Sequence, residues 1–330
     1  MMDVSVVVPA RNAGHTIDGC LAALLAQTTP PERYEIIVVD DGSSDETREV
    51  AERRRVKVLS QGHEGPAAAR NRGVAEARGE IVLFTDADCE PVANWLDEMT
   101  KPFQDQEIVG VKGAYRTRQR GVMPRFVQCE YEERYQRMAR LPRIDFIDTY
   151  SAGYRREVFL RAGGFDTGYP NASVEDQELS FRLARQGYQM VFNPRAVVCH
   201  QHPETLRAYF QRKFNIGYWK VRVLRSFPQK AVADSHTPQT LKVQMILLAV
   251  LLPLLALSLV RGSFAWLAGL TALGFLISVV PFTVGALRKD ILVGLLAPFF
   301  LVVRALALGL GMIKGLVDLA VRTEDGDPNA

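Results

Sequence analysis

The chain has 330 residues, with 40 Lys and Arg against 37 Asp and Glu, a net charge of +3. So small a basic excess excludes a surface built for nucleic acid. The four cysteines are scattered with no C-x-x-C pair, which suits reduced thiols on a cytosolic face better than a disulfide framework. The length suits two domains, or one with an appendage.

Val4–Val8 reads as a first strand, followed by the loop Pro9–Gly14. No basic segment precedes it and its apolar run stops at Pro9, so we expect no signal peptide. Ile17, Leu21, Leu24 and Leu25 follow at helical spacing, with Thr16 as N-cap. Glu35–Val39 is a second strand, ending in Asp40, Asp41 and Gly42. Ser43 and Glu46 have capping-box spacing for a helix over 44–54. Val56–Leu59 is a third strand, and Pro66–Ala77 is helical, closed by Gly79.

Ile81–Phe84 is a continuous apolar run that reads as a strand buried on both faces. It leads into Asp86 and Asp88. Two carboxylates there repel unless neutralised, and Mg²⁺ is held by one or two carboxylates plus phosphate oxygens. The plainer alternative is a solvated turn beside a helix cap. The series so far alternates strand and helix, which predicts a parallel sheet. In such sheets ligands bind at the carboxyl ends of strands. Pro9–Asn12, Asp40-Asp41 and Asp86–Asp88 all occupy such ends. Asp40-Asp41 also suits helix capping, and Arg70 either faces phosphate, pairs with an aspartate or sits on a solvated helix face. No G-x-G-x-x-G or G-x-x-x-x-G-K-[ST] follows a strand, which argues against a dehydrogenase or P-loop NTPase.

Four stretches together, Val4–Asn12, Ile37–Asp45, Gly65–Gly73 and Phe84–Asp88, resemble family 2 glycosyltransferases. The resemblance runs to about Arg225. It implies a GT-A fold, a Rossmann-like, mostly parallel α/β sheet. It implies that Asp40 or Asp41 contacts a nucleotide base. Asp86 and Asp88 would form the D-x-D motif for ribose and metal-diphosphate. The donor, a nucleotide-diphosphate sugar, would then meet Pro9, Arg11, Asn12, Asp40, Asp41, Arg70, Asp86 and Asp88. Mg²⁺ or Mn²⁺ would be the cofactor.

Ile108–Thr117 reads as a strand and 122–140 as a helix with a charged, solvated face. The small run Ser151–Gly153 allows close approach of a ligand. Leu179, Leu183 and Gly187 outline a helix that Ser173 would cap, with Asp176 at the third position. Asp176 is either a capping carboxylate or a general base that takes a proton from an attacking hydroxyl. The family resemblance favours the base, ahead of Glu175 and Glu178. Gln189–Phe192 and Ala196–Cys199 read as two short strands. His200 follows, and neutral imidazole can ligate a divalent metal. The resemblance implies a histidine downstream of the base as a third ligand with Asp86 and Asp88, a place His200 fits ahead of His202. The alternative is a histidine that bonds a loop or the nucleotide without metal.

Thr205–Phe227 interleaves aromatics with Arg and Lys, as a helix at a membrane surface does. It lacks the Q-x-x-R-W signature of processive polysaccharide synthases, so transfer of a single sugar is expected. After a linker near 234–238, charge almost vanishes from Val243 to Val317. Val243–Val260 and Phe264–Leu287 are each long enough to span a bilayer. Ile291–Val317 is a third candidate, interrupted by Arg304 and Lys314. Basic residues before the first span and at Arg288-Lys289 place the catalytic part on the cytoplasmic side of the plasma membrane. We therefore expect a catalytic domain over 1–203, an interfacial helix and linker over 204–240, membrane helices over 241–320 and a polar tail over 321–330.

The expected function is a membrane-anchored inverting glycosyltransferase acting on a lipid-linked acceptor in polysaccharide or glycoconjugate synthesis. The tail also resembles succinoglycan-type glucosyltransferases. Two alternatives are a polyprenyl-phosphate glycosyltransferase and a non-catalytic membrane assembly protein that binds a nucleotide sugar. Near absence of acidic residues in the spans argues against transport.

Overall fold

The computed structural model describes residues 3–169 and 174–324. Two compact units form, Met1–Arg118 with Tyr135–Gln201, and Gln119–Arg134 with His202–Ala330.

The first unit opens with β1 (Val4–Ala10), α1 (Ile17–Leu25), β2 (Tyr34–Asp41), α2 (Thr47–Arg53), β3 (Lys57–Gln61), α3 (Pro66–Ala75) and β4 (Ile81–Phe84). It continues with β5 (Cys89–Pro91), α4 (Trp95–Thr100) and β6 (Ile108–Arg116). Then come α5 (Val122–Met138), whose first turns belong to the second unit, β7 (Ala152–Arg155), α6 (Arg156–Arg161), α7 (Glu175–Arg185) and β8 (Gln189–His200). Eight strands make one sheet in the order β3-β2-β1-β4-β7-β6-β8-β5. β3, β2, β1 and β4 are mutually parallel, and so are β6 and β8, while β7 and β5 run against their neighbours. The expected α/β sheet is present, and its antiparallel members are short strands.

Three features set the site's frame. Val6, Val7, Ile37, Val39, Leu83 and Phe84 are buried, as continuous apolar strands in a covered sheet should be. Phe84 packs on Phe159 and Phe165 at ring-centroid distances of 5.5 and 5.4 Å, which fixes the strand that feeds Asp86 and Asp88. At Gly73 a Cβ would lie 2.3 Å from Val7 Cγ1, so only glycine lets α3 press this closely on β1.

Local details differ from the sequence reading. The Ser43–Glu46 capping box does not form. Instead Ser43 Oγ accepts from Asn12 N at 3.0 Å, and Asp45 Oδ1 accepts from Thr47 N at 3.1 Å. Helix α7 begins at Glu175, so Asp176 sits at its second position, and Ser173 lies outside the described residues. β8 is one strand where two were expected, Gln189–Phe192 and Ala196–Cys199; the residues between them form a register irregularity against β6.

The second unit holds α8 (Leu206–Ser226), α9 (Gln239–Ser258), α10 (Ser263–Leu287) and α11 (Ile291–Glu324). The last three are long and apolar enough to cross a membrane. Residues 325–330, most of the polar tail, lie outside the described residues. Helix α8 presents one face to α11. A Cβ on Gly311 would lie 2.1 Å from Phe214 O, and one on Gly217 2.3 Å from Leu308 O, so the two backbones nearly touch. Leu206, Arg207, Gln211 and Arg225 stay exposed on α8.

Arg304, inside the third apolar helix, is buried because it is paired. Its Nη1 lies 3.0 Å from Glu130 Oε1 and its Nη2 donates to Gln244 Oε1 at 2.9 Å. Lys213 Nζ lies 3.0 Å from the other Glu130 oxygen. Burial alone would raise the Glu130 carboxyl, but Lys213, Arg304 and Arg134 outweigh it and hold it at about 2. Removing one partner of a buried pair costs roughly 3–5 kcal/mol. Arg304→Ala should therefore lower the unfolding midpoint of the detergent-solubilised protein by many degrees. An unchanged midpoint would show that the pair adds nothing to stability.

Candidate active site

The parallel strands β2, β1 and β4 end side by side, and a cleft of about 450 Å³ opens there. Pro9, Arg11, Asn12, Asp41, Arg70, Asp86 and Asp88 all line it, together with His15, His63 and Gln201. Asn12 takes a left-handed conformation at φ 50°, and its Oδ1 accepts from Ser44 N at 2.8 Å. That bond ties the β1 loop to the β2 loop. Asp40 is buried, accepts from Ser43 N at 3.2 Å and is not among the lining residues.

The two aspartates of the D-x-D run face different partners. Asp88 Oδ2 lies 3.5 Å from His200 Nε2. Ligand atoms of Asp88, Cys89 and His200 all fall within 4.8 Å of one another. The meeting is a consequence of β5, whose antiparallel register on β8 sets Cys89 opposite His200. A carboxylate and an imidazole supplemented by diphosphate oxygens suit Mn²⁺ better than Mg²⁺, which prefers oxygen ligands throughout. Cys89 is a poorer ligand: burial, with Asp86 and Asp88 adding to it, pushes its thiol up and keeps it protonated.

Asp86 turns to Arg70. Arg70 Nη2 donates to Asp86 Oδ1 at 2.8 Å, and its Nη1 donates to Glu175 Oε1 at 3.1 Å. The arginine is 2% exposed, so the solvated helix face open in the sequence is not its setting. Burial opposes its charge, but Asp86 and Glu175 outweigh that and keep it protonated. Arg70 thus joins the end of β4 to the start of α7, where Asp176 follows Glu175.

Asp176 is partly exposed, and its Oδ1 accepts from Gln177 N at 2.7 Å. Burial, and then the charge of Glu175, push its carboxyl up to about 7, against the pull of Arg70 and Lys112. A carboxyl raised toward neutrality is suited to take a proton. Glu178 is committed elsewhere, to Arg182 at 2.7 Å. His202 belongs to the second unit, where it stacks on Tyr131 at 5.5 Å and pairs with Gln128 at 3.1 Å. Sequence reasoning missed His63 and Cys89. Cys89 was signalled only by following the D-x-D run directly, and His63 had no signal.

Comparison with known proteins bears on the family and the fold. The family model "Glycosyl transferase family 2" matches residues 5–162, and "Glycosyl transferase family group 2" matches residues 92–312. Glycosyltransferase AglE of Haloferax volcanii is 26% identical over 232 residues, 67% of this chain and 73% of that protein. The pre-mycofactocin glycosyltransferase of Mycobacterium tuberculosis is 31% identical over 228 residues, 65% of this chain and 46% of that protein. Among solved structures, the mannosyltransferase PcManGT from Pyrobaculum calidifontis, in complex with GDP-Man and Mn²⁺, superposes with a TM-score of 0.63 at 22% identity. That match covers 96% of this chain and 87% of that one, and its likeness is one of fold. The chain belongs to glycosyltransferase family 2, with a GT-A fold and three C-terminal helices long and apolar enough to cross a membrane.

Proposed function

We propose that this glycosyltransferase moves one sugar from a nucleotide-diphosphate donor to a hydroxyl of a lipid-linked saccharide, with inversion at the anomeric carbon. The observation that carries this reading is Arg70, which links the D-x-D aspartate Asp86 to the acidic pair Glu175-Asp176. Donor cleft and candidate base are thereby held by one guanidinium.

Asp88 and His200, with Asp86 nearby, would hold Mg²⁺ or Mn²⁺. Such an ion neutralises charge building on the leaving diphosphate. Asp176 takes the proton of the acceptor hydroxyl. The hydroxyl oxygen bonds to the anomeric carbon from the face opposite the diphosphate. The bond from that carbon to the diphosphate oxygen breaks, and the nucleoside diphosphate leaves with the electron pair. Asn12 and Arg11 hold the loop that lines the donor side.

Two features support a membrane-bound acceptor on the cytoplasmic face. Three apolar helices follow the catalytic unit. The exposed residues of α8 include Arg207 and Arg225, whose charge suits an anionic inner leaflet.

The test is release of nucleoside diphosphate by the detergent-purified protein, screened over nucleotide sugars. Release should require both a divalent metal and a lipid-linked saccharide. Release unchanged by EDTA would reject the metal assignment. No transfer from any nucleotide sugar would reject the reading as a whole.

A further inference from the structure

β8 ends at His200, between two strands that flank it on opposite sides. On one side the register of β5 sets Cys89 across from it, and Asp88 Oδ2 lies 3.5 Å from His200 Nε2. On the other side β6 runs parallel, with Tyr115 across from Val198. Side chains alternate along a strand, so the next residue on the face of Val198 is His200. Tyr115 and His200 meet there, with ring centroids 4.7 Å apart and planes inclined by 42°.

Tyr115 is itself held firmly. It is buried, and its ring also stacks on Tyr150. Its backbone N–H donates to Tyr135 Oη at 2.8 Å. Tyr150 Oη donates to Asp148 Oδ2 at 2.6 Å and accepts from Lys112 Nζ at 3.0 Å. That hydroxyl has one proton, and it faces Asp148. In the 3.1 Å pair between Tyr150 and Tyr135 the donor is therefore Tyr135. Lys112 and Asp148 also pair directly, and both are buried. One buried network thus fixes both the ring and the backbone of Tyr115.

We infer that Tyr115 is a positioning residue for the metal. Its ring holds the His200 imidazole with Nε2 toward Asp88, so the two ligands converge before an ion arrives. The inference rests on His200 as a metal ligand, the reading proposed above. The second torsion of histidine is broad and two-fold, so an imidazole without support turns and exchanges its two nitrogens. Groups behind a ligating histidine fix its orientation, and their loss lowers metal affinity by roughly 10- to 100-fold.

The experiment is titration of the full chain in detergent with Mn²⁺ alone, the free ion being read by its paramagnetic resonance. Tyr115→Leu should weaken binding by roughly 10- to 100-fold. Tyr115→Phe keeps the ring and should bind as the wild type does. In a His200→Ala background, Tyr115→Leu should weaken binding no further, because both residues act through one ligand. A residue that only supports the fold gives the same extra loss in both backgrounds, and that result overturns the inference. So does wild-type affinity in a folded Tyr115→Leu protein. The wild type gives a test that needs no variant. With labelled His and Tyr, contacts between the rings of His200 and Tyr115 should be seen by nuclear magnetic resonance without metal. They should persist when Zn²⁺, a diamagnetic ion that takes imidazole and carboxylate, is added. A His200 ring that turns on metal binding overturns the inference. Undiminished Mn²⁺ binding by His200→Ala would instead remove His200 from the metal, and this inference with it.

Discussion

Asp176→Asn should slow transfer to a hydroxyl acceptor by roughly 10²- to 10⁴-fold, the usual worth of general-base catalysis. Asparagine keeps the size and can still accept from Gln177 N, but it cannot take the proton. Donor binding should change little. The rate of the wild type should rise with pH toward and through about 7, where the raised carboxyl ionises, and the variant should lack that limb. Stability gives an independent reading. A carboxyl raised in the folded state disfavours its own charge there, so it costs stability once pH exceeds its folded value and costs nothing below its unfolded value. The Asn variant should therefore match or exceed wild-type stability at pH 8. A helix-capping role predicts the opposite, a loss of about 1 kcal/mol or less with turnover intact. Turnover within a few-fold of wild type, in a folded protein, would shift the acceptor from a hydroxyl to an already ionised phosphate.

Asp88→Ala should abolish metal-dependent donor binding and reduce transfer by about 10³-fold, because stabilisation of a leaving diphosphate by metal is worth several kcal/mol. Asp86→Ala should differ in kind. It frees Arg70 on one side and leaves that buried guanidinium with Glu175 alone, so it should lower stability as well as activity. Titration of Mn²⁺ with nucleoside diphosphate, read beside a thermal melt, separates the two. Full activity of Asp88→Ala, or of the wild type in EDTA, would remove the metal from the mechanism.

The strands that carry the cleft were legible because β1, β2 and β4 are continuous apolar runs, each followed by a polar loop. The D-x-D aspartates, Asn12 and Asp41 could be placed at strand ends from that pattern alone. The division of labour between Asp86 and Asp88 could not. It depends on β5, three residues long and ending in Pro91, whose pairing with β8 joins positions more than a hundred residues apart. No local periodicity reveals so short a strand. Arg70 was open to several roles for the same reason, since its partners lie 16 and 105 residues away. β8 was read as two strands, Gln189–Phe192 and Ala196–Cys199, whereas the residues between them bulge from one strand: the two steps from Lys112 to Ala114 on β6 face the five from Phe192 to Val197 on β8. His63 stands in a loop with nothing in its vicinity to mark it, and its contacts with Asp41 and Arg11 emerge only in the structure.

The passage of residues 119–134 into the second unit bears on how the protein is made. Phe126 rests on Phe282 and Phe300 at 5.5 and 4.8 Å, partners that the ribosome supplies much later. At ordinary elongation rates the wait is on the order of ten seconds or more. Throughout it the first unit is complete in sequence to Gln201, yet carries an uncovered apolar helix face between its own segments. Biosynthesis of this enzyme therefore cannot proceed as one finished domain followed by a separate set of apolar helices. No single cut of the chain yields both units whole, and a soluble fragment ending after β8 would expose the apolar face of α5 to water.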